Sequence, residues 1–196
     1  MSDWIENVVN KNILQDNLTF VSLYIAIYEH MVDYVVSNIK SFLCNFSIKN
    51  GKEFWEETDS YKNEIKNRIV DKKGNKNITK ASFLWLVDNK AITQDDYQCF
   101  LTLKELRNKY AHNLTEVIYT GVSQAEIEQF FEMFNLYKKI SKWYFINIEA
   151  PIIGGDLPEN ADLLQVRTAA DVMFEIILDV LYRGKEKDYK VIIEKG

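Results

Sequence analysis

Residues 16–45 read DNLTFVSLYIAIYEHMVDYVVSNIKSFLCN, and the periodicity of this stretch decides the fold class. Val21, Tyr24, Ile25, Tyr28, Met31, Val32, Val35, Val36, Ile39, Phe42 and Leu43 recur three and four residues apart, the spacing of one face of an α-helix. Leu23, Ile27 and Tyr34 fall outside that stripe and widen it. A helix so broadly apolar is expected to be covered on more than one side, as a central bundle helix or one shared with a second subunit. Glu29, His30 and Asp33 interrupt the run, and a membrane span tolerates such residues poorly.

Shorter helices are expected around this spine. Residues 3–11 place Trp4, Ile5, Val8 and Val9 on one side. Thr79 reads as the N-cap of a helix to residue 89, with Phe83, Leu84, Leu86 and Val87 inward. Thr93 reads as the N-cap of the next, with Asp95 and Asp96 in a first turn where the helix dipole favours anions. That helix carries Tyr97, Phe100, Leu101, Leu103 and Leu106. Ser123 and Glu126 form a capping box that opens a helix to about residue 148. A last helix is expected over residues 160–183, closed by Gly184. Pro151, Gly154, Gly155 and Pro158 mark a loop over 149–160, and 185–196 read as a C-terminal tail in which 189–193 form a short strand or an arm. Residues 48–78 lose the helical period and are expected to be an irregular basic insertion, broken at Gly51 and Gly74, with a short helix over 61–70.

With 196 residues, the chain is long enough for one well-buried core. Only two prolines and seven glycines interrupt it, while eleven Tyr, eleven Phe and four Trp supply large packing bodies. The expectation is one all-α domain over residues 1–196, a helical bundle of about four main helices plus short ones. Residues 1–6 lack the basic region and apolar run of a secretory signal. Cys44 and Cys99 lie in apolar patterns without metal-ligand spacing, so they read as free, buried thiols of a reducing cytoplasm. No cofactor or metal is called for, and Gly154-Gly155 is too short to cradle a phosphate.

A net charge of −5 argues against a surface that binds nucleic acid everywhere. Locally the balance reverses. Residues 60–79 hold six cations, Lys62, Lys66, Arg68, Lys72, Lys73 and Lys76, against Glu64 and Asp71, a local charge of +4. Such a run is either a solvated loop or a flap that attracts phosphate.

The densest chemistry is Leu103-Lys104-Glu105-Leu106-Arg107-Asn108-Lys109-Tyr110-Ala111-His112, the expected end of a helix. Lys104, Asn108 and His112 are four apart and share a stripe, with Arg107 on the neighbouring one. Arg107, Asn108 and His112 converge on one groove if the helix frays or turns near Ala111. Lys109 is expected to pair with Glu105 one turn back. His30 reads as a core or interface histidine satisfied by a neighbour.

The segment Arg107-Asn108-Lys109-Tyr110-Ala111-His112 resembles the R-x4-6-H motif of HEPN-domain proteins, with four residues between Arg and His. A polar residue, often Asn, directly follows the Arg in many of them, as Asn108 does here. The resemblance implies an all-α bundle and a metal-independent endoribonuclease of toxin–antitoxin, abortive-infection or antiviral defence systems. Arg107 would grip the phosphate, Asn108 orient it, and His112 move a proton. The implied partners are RNA, a second copy of the chain that completes the site, and an antitoxin or phage protein. Lys104, Lys62, Lys66, Arg68, Lys72 and Lys73 are weaker candidates for RNA contact. In toxins controlled by a nucleotidyltransferase antitoxin, a tyrosine commonly stands two residues after the His; here that position is Leu114. The alternative expectation is a catalytically inactive helical protein-interaction module that keeps the motif for structure.

Overall fold

The structure is a computed structural model and describes residues 3–153, 162–163 and 165–182. The fold is predominantly all-α, with one small two-stranded sheet. Helix α1 (Asp3–Val9) is followed after one residue by α2 (Lys11–Leu43). Asn10 separates them because its Oδ1 accepts the N–H groups of Asn12 and Ile13, capping the longer helix. The spine helix therefore starts earlier than its apolar stripe and stops at Leu43.

Cys44 opens strand β1 (Cys44–Lys49), which pairs antiparallel with β2 (Lys52–Glu57). This corrects the expectation of an irregular insertion from residue 48. Asn50 and Gly51 have φ of 52° and 72°, the pair of left-handed residues that a tight hairpin turn requires. Phe46 lies opposite Trp55, with ring centroids 5.0 Å apart. After the hairpin come α3 (Asp59–Tyr61) and a π-helical turn, Lys62–Lys66, so the short helix expected over 61–70 lies earlier. Helix α4 (Ile78–Asp88) is capped by Asn77, whose Oδ1 accepts the Lys80 N–H at 3.0 Å. The cap is thus two residues before Thr79.

Helices α5 (Gln94–His112), α6 (Leu114–Thr120) and α7 (Gln124–Tyr144) complete the middle of the chain. Both of their expected caps form. Thr93 Oγ1 accepts the Asp96 N–H at 3.1 Å, and Ser123 with Glu126 makes a reciprocal capping box. Beyond a π-helical turn at Phe145–Glu149, α8 (Ala150–Ile153) carries Pro151 in its first turn, where a missing N–H is tolerated. The expected loop therefore does not begin at 149, and its residues 154–160 lie outside the described residues. Helix α9 (Ala169–Tyr182) starts later than expected, because Thr168 N and Oγ1 both donate to Asp171 Oδ2 and cap it there. Gly184 and the tail 185–196 lie outside the described residues.

The chain divides into two compact units, residues 1–28 with 99–196, and residues 29–98. In the first, Phe20, Tyr24, Phe100, Leu103, Tyr110, Phe130, Phe134 and Tyr137 are buried. Its centre is aromatic: Phe20 meets Phe130 at 5.0 Å and Phe134 meets Phe174 at 4.5 Å. Tyr24 Oη donates to Leu103 O at 3.1 Å, and its ring stands edge-on to Tyr110 at 5.2 Å. In the second unit, Met31, Val35, Ile39, Ile65, Phe83, Trp85 and Leu86 are buried, and Trp85 Nε1 donates to Glu64 Oε2 at 2.8 Å. His30 is exposed on α2, so it is not a core histidine. Cys44 is buried, on a strand rather than a helix, and Cys99 is half-buried on α5.

The two buried tyrosines make opposite stability predictions. Tyr24→Phe removes a made hydrogen bond and is expected to cost about 1 kcal/mol, and Tyr24→Ala about 3–5 kcal/mol through the cavity. Tyr110 Oη is buried with no hydrogen-bond partner among the described residues, so Tyr110→Phe is expected to be neutral or stabilising. Urea unfolding of the three variants checks this ordering.

Candidate functional site

Helix α5 carries the candidate motif, and burial of Leu103, Leu106 and Tyr110 sets its rotation. With about 100° per residue, Arg107 then lies some 40° from the Leu103 direction, Asn108 about 140° and His112 about 180°. The observed exposures follow this order. Arg107 and Asn108 are half-buried, and His112, the last residue of α5, is exposed. Lys104 is half-buried on the stripe shared with Asn108 and His112.

Arg107 Nη1 donates to Asn108 Oδ1 at 3.2 Å. This bond turns the acceptor end of the Asn108 amide toward the guanidinium, so the amide's Nδ2–H donors form the opposite end. Arg107 and Asn108 are thereby brought together, and Asn108 and His112 lie one turn apart on one unbroken helix. Helix α5 does not fray at Ala111, and the turn expected near that residue forms two positions on. The chain turns at Asn113 instead (φ −123°, ψ 38°), whose N–H donates to Lys109 O at 2.8 Å. Arg107 and His112 thus leave α5 in directions about 140° apart.

Lys109 does not take Glu105 as its partner. Its ammonium meets Glu126 Oε1 at 3.1 Å and Glu116 Oε1 at 3.9 Å. A half-buried carboxylate on α7 offers a better-fixed partner than an exposed residue on the same helix. Tyr110 is core. Burial, and then the Glu126 charge, push its phenol well above the ordinary tyrosine value, so it stays protonated.

Neighbouring contacts hold this end of the first unit. Asn7 Nδ2 donates to Tyr119 O at 2.8 Å, and the Val122 N–H donates to Asn17 Oδ1 at 3.3 Å. Trp4 and Tyr119 meet edge to face at 5.9 Å. Helix α6, which no sequence signal singled out, opens at Leu114, and that side chain is exposed.

Of the basic residues named with the motif, Lys104 belongs to the motif's own unit, and Lys62, Lys66, Arg68, Lys72 and Lys73 belong to residues 29–98. There Lys62 pairs with Asp59, Lys66 with Glu57, and Arg68 with Asp88 at 2.7 Å. Lys72 and Lys73 are exposed in a turn organised by Asp71, whose Oδ1 accepts the Lys73 and Asn75 N–H groups at 2.8 Å each. Three of the six cations therefore face acids, and the field of this segment is weaker than its charge sum implies. Among the described residues no group of three or more His, Cys, Asp or Glu side chains is placed to hold a metal ion, and no helix is long and apolar enough to cross a membrane. No protein-family model, curated protein or solved structure matches the chain.

Glu126 links the motif helix to α7 and gives a pH prediction. Burial alone raises its carboxyl, but the Ser123 N–H, the Lys109 ammonium and the Ser123 hydroxyl outweigh burial and hold it below the ordinary glutamate range. A folded value below the unfolded one means stability that is complete above about pH 4.3 and is lost as pH falls through the folded value. Wild type is therefore expected to lose more stability than Glu126→Gln on acidification below about pH 5. Thermal unfolding across pH checks this, and parallel curves for the two proteins would contradict it.

Proposed function

We propose that the chain is a metal-independent endoribonuclease that cleaves RNA through its own 2′-hydroxyl, acting as a toxin or antiviral defence effector. The observation that carries this is the Arg107–Asn108 hydrogen bond one turn before an exposed His112. Cleavage needs a base to take the 2′-hydroxyl proton and an acid to protonate the leaving 5′-oxygen, and a histidine suits either task. Arg107 binds the phosphate and stabilises its growing charge. Asn108, its oxygen held by Arg107, directs its amide N–H donors at phosphate or ribose oxygens. The products are a 2′,3′-cyclic phosphate and a 5′-hydroxyl. The resemblance to HEPN-domain proteins supports the same chemistry from the motif's spacing.

One subunit supplies one suitable histidine, and its Arg107 and His112 diverge around α5. Two copies facing each other offer two histidines and let the arginine of one approach the histidine of the other. The active form in this reading is a homodimer with a composite site. A protein partner such as an antitoxin would then act by covering or separating the motifs. An inactive protein-interaction module is the second reading. The pairing of Lys62, Lys66 and Arg68 with Asp59, Glu57 and Asp88 favours it, because those cations are already neutralised.

Purified protein incubated in EDTA with tRNA, mRNA and rRNA is expected to cleave at least one of them to cyclic-phosphate ends. Arg107→Ala is expected to lower the rate about 10²–10³-fold and His112→Ala about 10²–10⁴-fold. RNA left equally intact by all three proteins would end the enzyme reading in favour of the module. Sedimentation at micromolar concentration is expected to show a dimer, and a strict monomer there would remove the composite site.

A further inference from the structure

Lys109 stands inside the motif yet has no part in the chemistry above. Its ammonium reaches two further helices, Glu126 on α7 at 3.1 Å and Glu116 on α6 at 3.9 Å. Glu126 is itself anchored, since Ser123 N donates to its Oε2 at 2.8 Å and Ser123 Oγ at 3.0 Å. The Glu126 side chain is only 12% exposed and that of Glu116 54%, so the α7 arm is the stronger one.

The placement of this cluster matters. Lys109 precedes His112 by three residues and Glu116 follows it by four, so the ion pair spans the corner where His112 stands. One residue, Asn113, connects α5 to α6 there. The main chain is closed at the same point, with Asn113 N donating to Lys109 O and Glu116 N donating to Asn113 O at 3.0 Å. Helix ends fray when their last turn has no outside support. A displacement of about 1 Å in a reacting group can cost about 10²-fold in rate.

We propose that Lys109, held by Glu126 and Glu116, is a positioning residue that fixes the α5–α6 corner and with it the direction of the His112 ring. Its effect on rate rests on the ribonuclease reading; its effect on the ring does not. Lys109 is not itself a phosphate ligand, because its charge already faces two carboxylates.

The test uses the full chain as wild type, Lys109→Met, Lys109→Arg and Glu116→Gln, with two readouts. These are kcat and KM on the RNA that wild type cleaves, and the NMR signal of the His112 ring. Lys109→Met is expected to lower kcat about 10–100-fold with KM within about twofold, and to shift or broaden the His112 signal. Lys109→Arg, which keeps a cation between the two acids, is expected to restore both. Wild-type kcat with an unmoved ring signal in Lys109→Met overturns the proposal. So does a raised KM at constant kcat, which would make Lys109 an RNA contact. Should Lys109→Met fail to fold, Glu116→Gln removes the exposed arm alone; a smaller change in the same direction supports the clamp, and none overturns it. If wild type cleaves no RNA, the ribonuclease reading fails by that result. The ring signal then decides the clamp: moved by Met and restored by Arg supports it, unmoved overturns it.

Discussion

The Tyr24 hydroxyl donating to the Leu103 carbonyl, with the Tyr24 ring edge-on to Tyr110, is the contact on which the first unit and its site depend. Tyr24 and Leu103 are fully buried and Tyr110 nearly so. Leu103 and Tyr110 are two turns apart on α5, so fixing both against one α2 side chain fixes the rotation of the whole motif helix. The half-burial of Arg107 and the exposure of His112 follow from that rotation. Arg107 falls beside the core, where its stem packs and its head is held by Asn108. His112 falls opposite the core and meets solvent. A rotation of one residue, about 100°, would turn Tyr110 away from the core and carry His112 from opposite the core to about 80° from the Leu103 direction.

The helices legible in the sequence were those whose signals are local. The three-four stripe of α2, the Thr93 cap and the Ser123–Glu126 capping box each need only neighbours along the chain, and each forms. The β-hairpin was hidden for a different reason. Its strands are six residues each and largely exposed, so the polar–apolar alternation that marks a half-buried strand is weak there. The turn signal was present in Asn50-Gly51, and weighting that dipeptide above the flanking composition would have found the hairpin. Thr79 and Asn77 are both acceptable caps by residue type. The backbone chose Asn77 because the chain already closes there, with Asn77 N donating to Ile69 O at 3.0 Å.

Of the candidate site, the sequence names residues but not their environment. Arg107, Asn108 and His112 were found from residue types and spacing, but their burial depends on which face of α5 the core takes. Lys109 shows the limit most clearly. A one-turn rule assigns it to Glu105, while tertiary packing brings Glu126 within 3.1 Å. The basic segment fails in the same way, since summing charge over residues 60–79 leaves out Glu57, Asp59 and Asp88, which lie outside the window and neutralise three of its cations.

That neutralisation bears on how an acidic protein would meet a polyanion. At physiological ionic strength charges are screened beyond about 8 Å, so a net charge of −5 neither repels RNA over long distances nor helps it approach. In the proposed reading, affinity for RNA would depend on the few donors that touch the backbone. Arg107 and Asn108 form a compact donor pair, and the proposed dimer would double it at one site. In that proposal, recruitment through two short-range clamps, rather than through a basic surface, would make binding weak until both are engaged. In the proposed dimer, such a site would stay quiet on its own and respond to whatever brings its two halves together or keeps them apart.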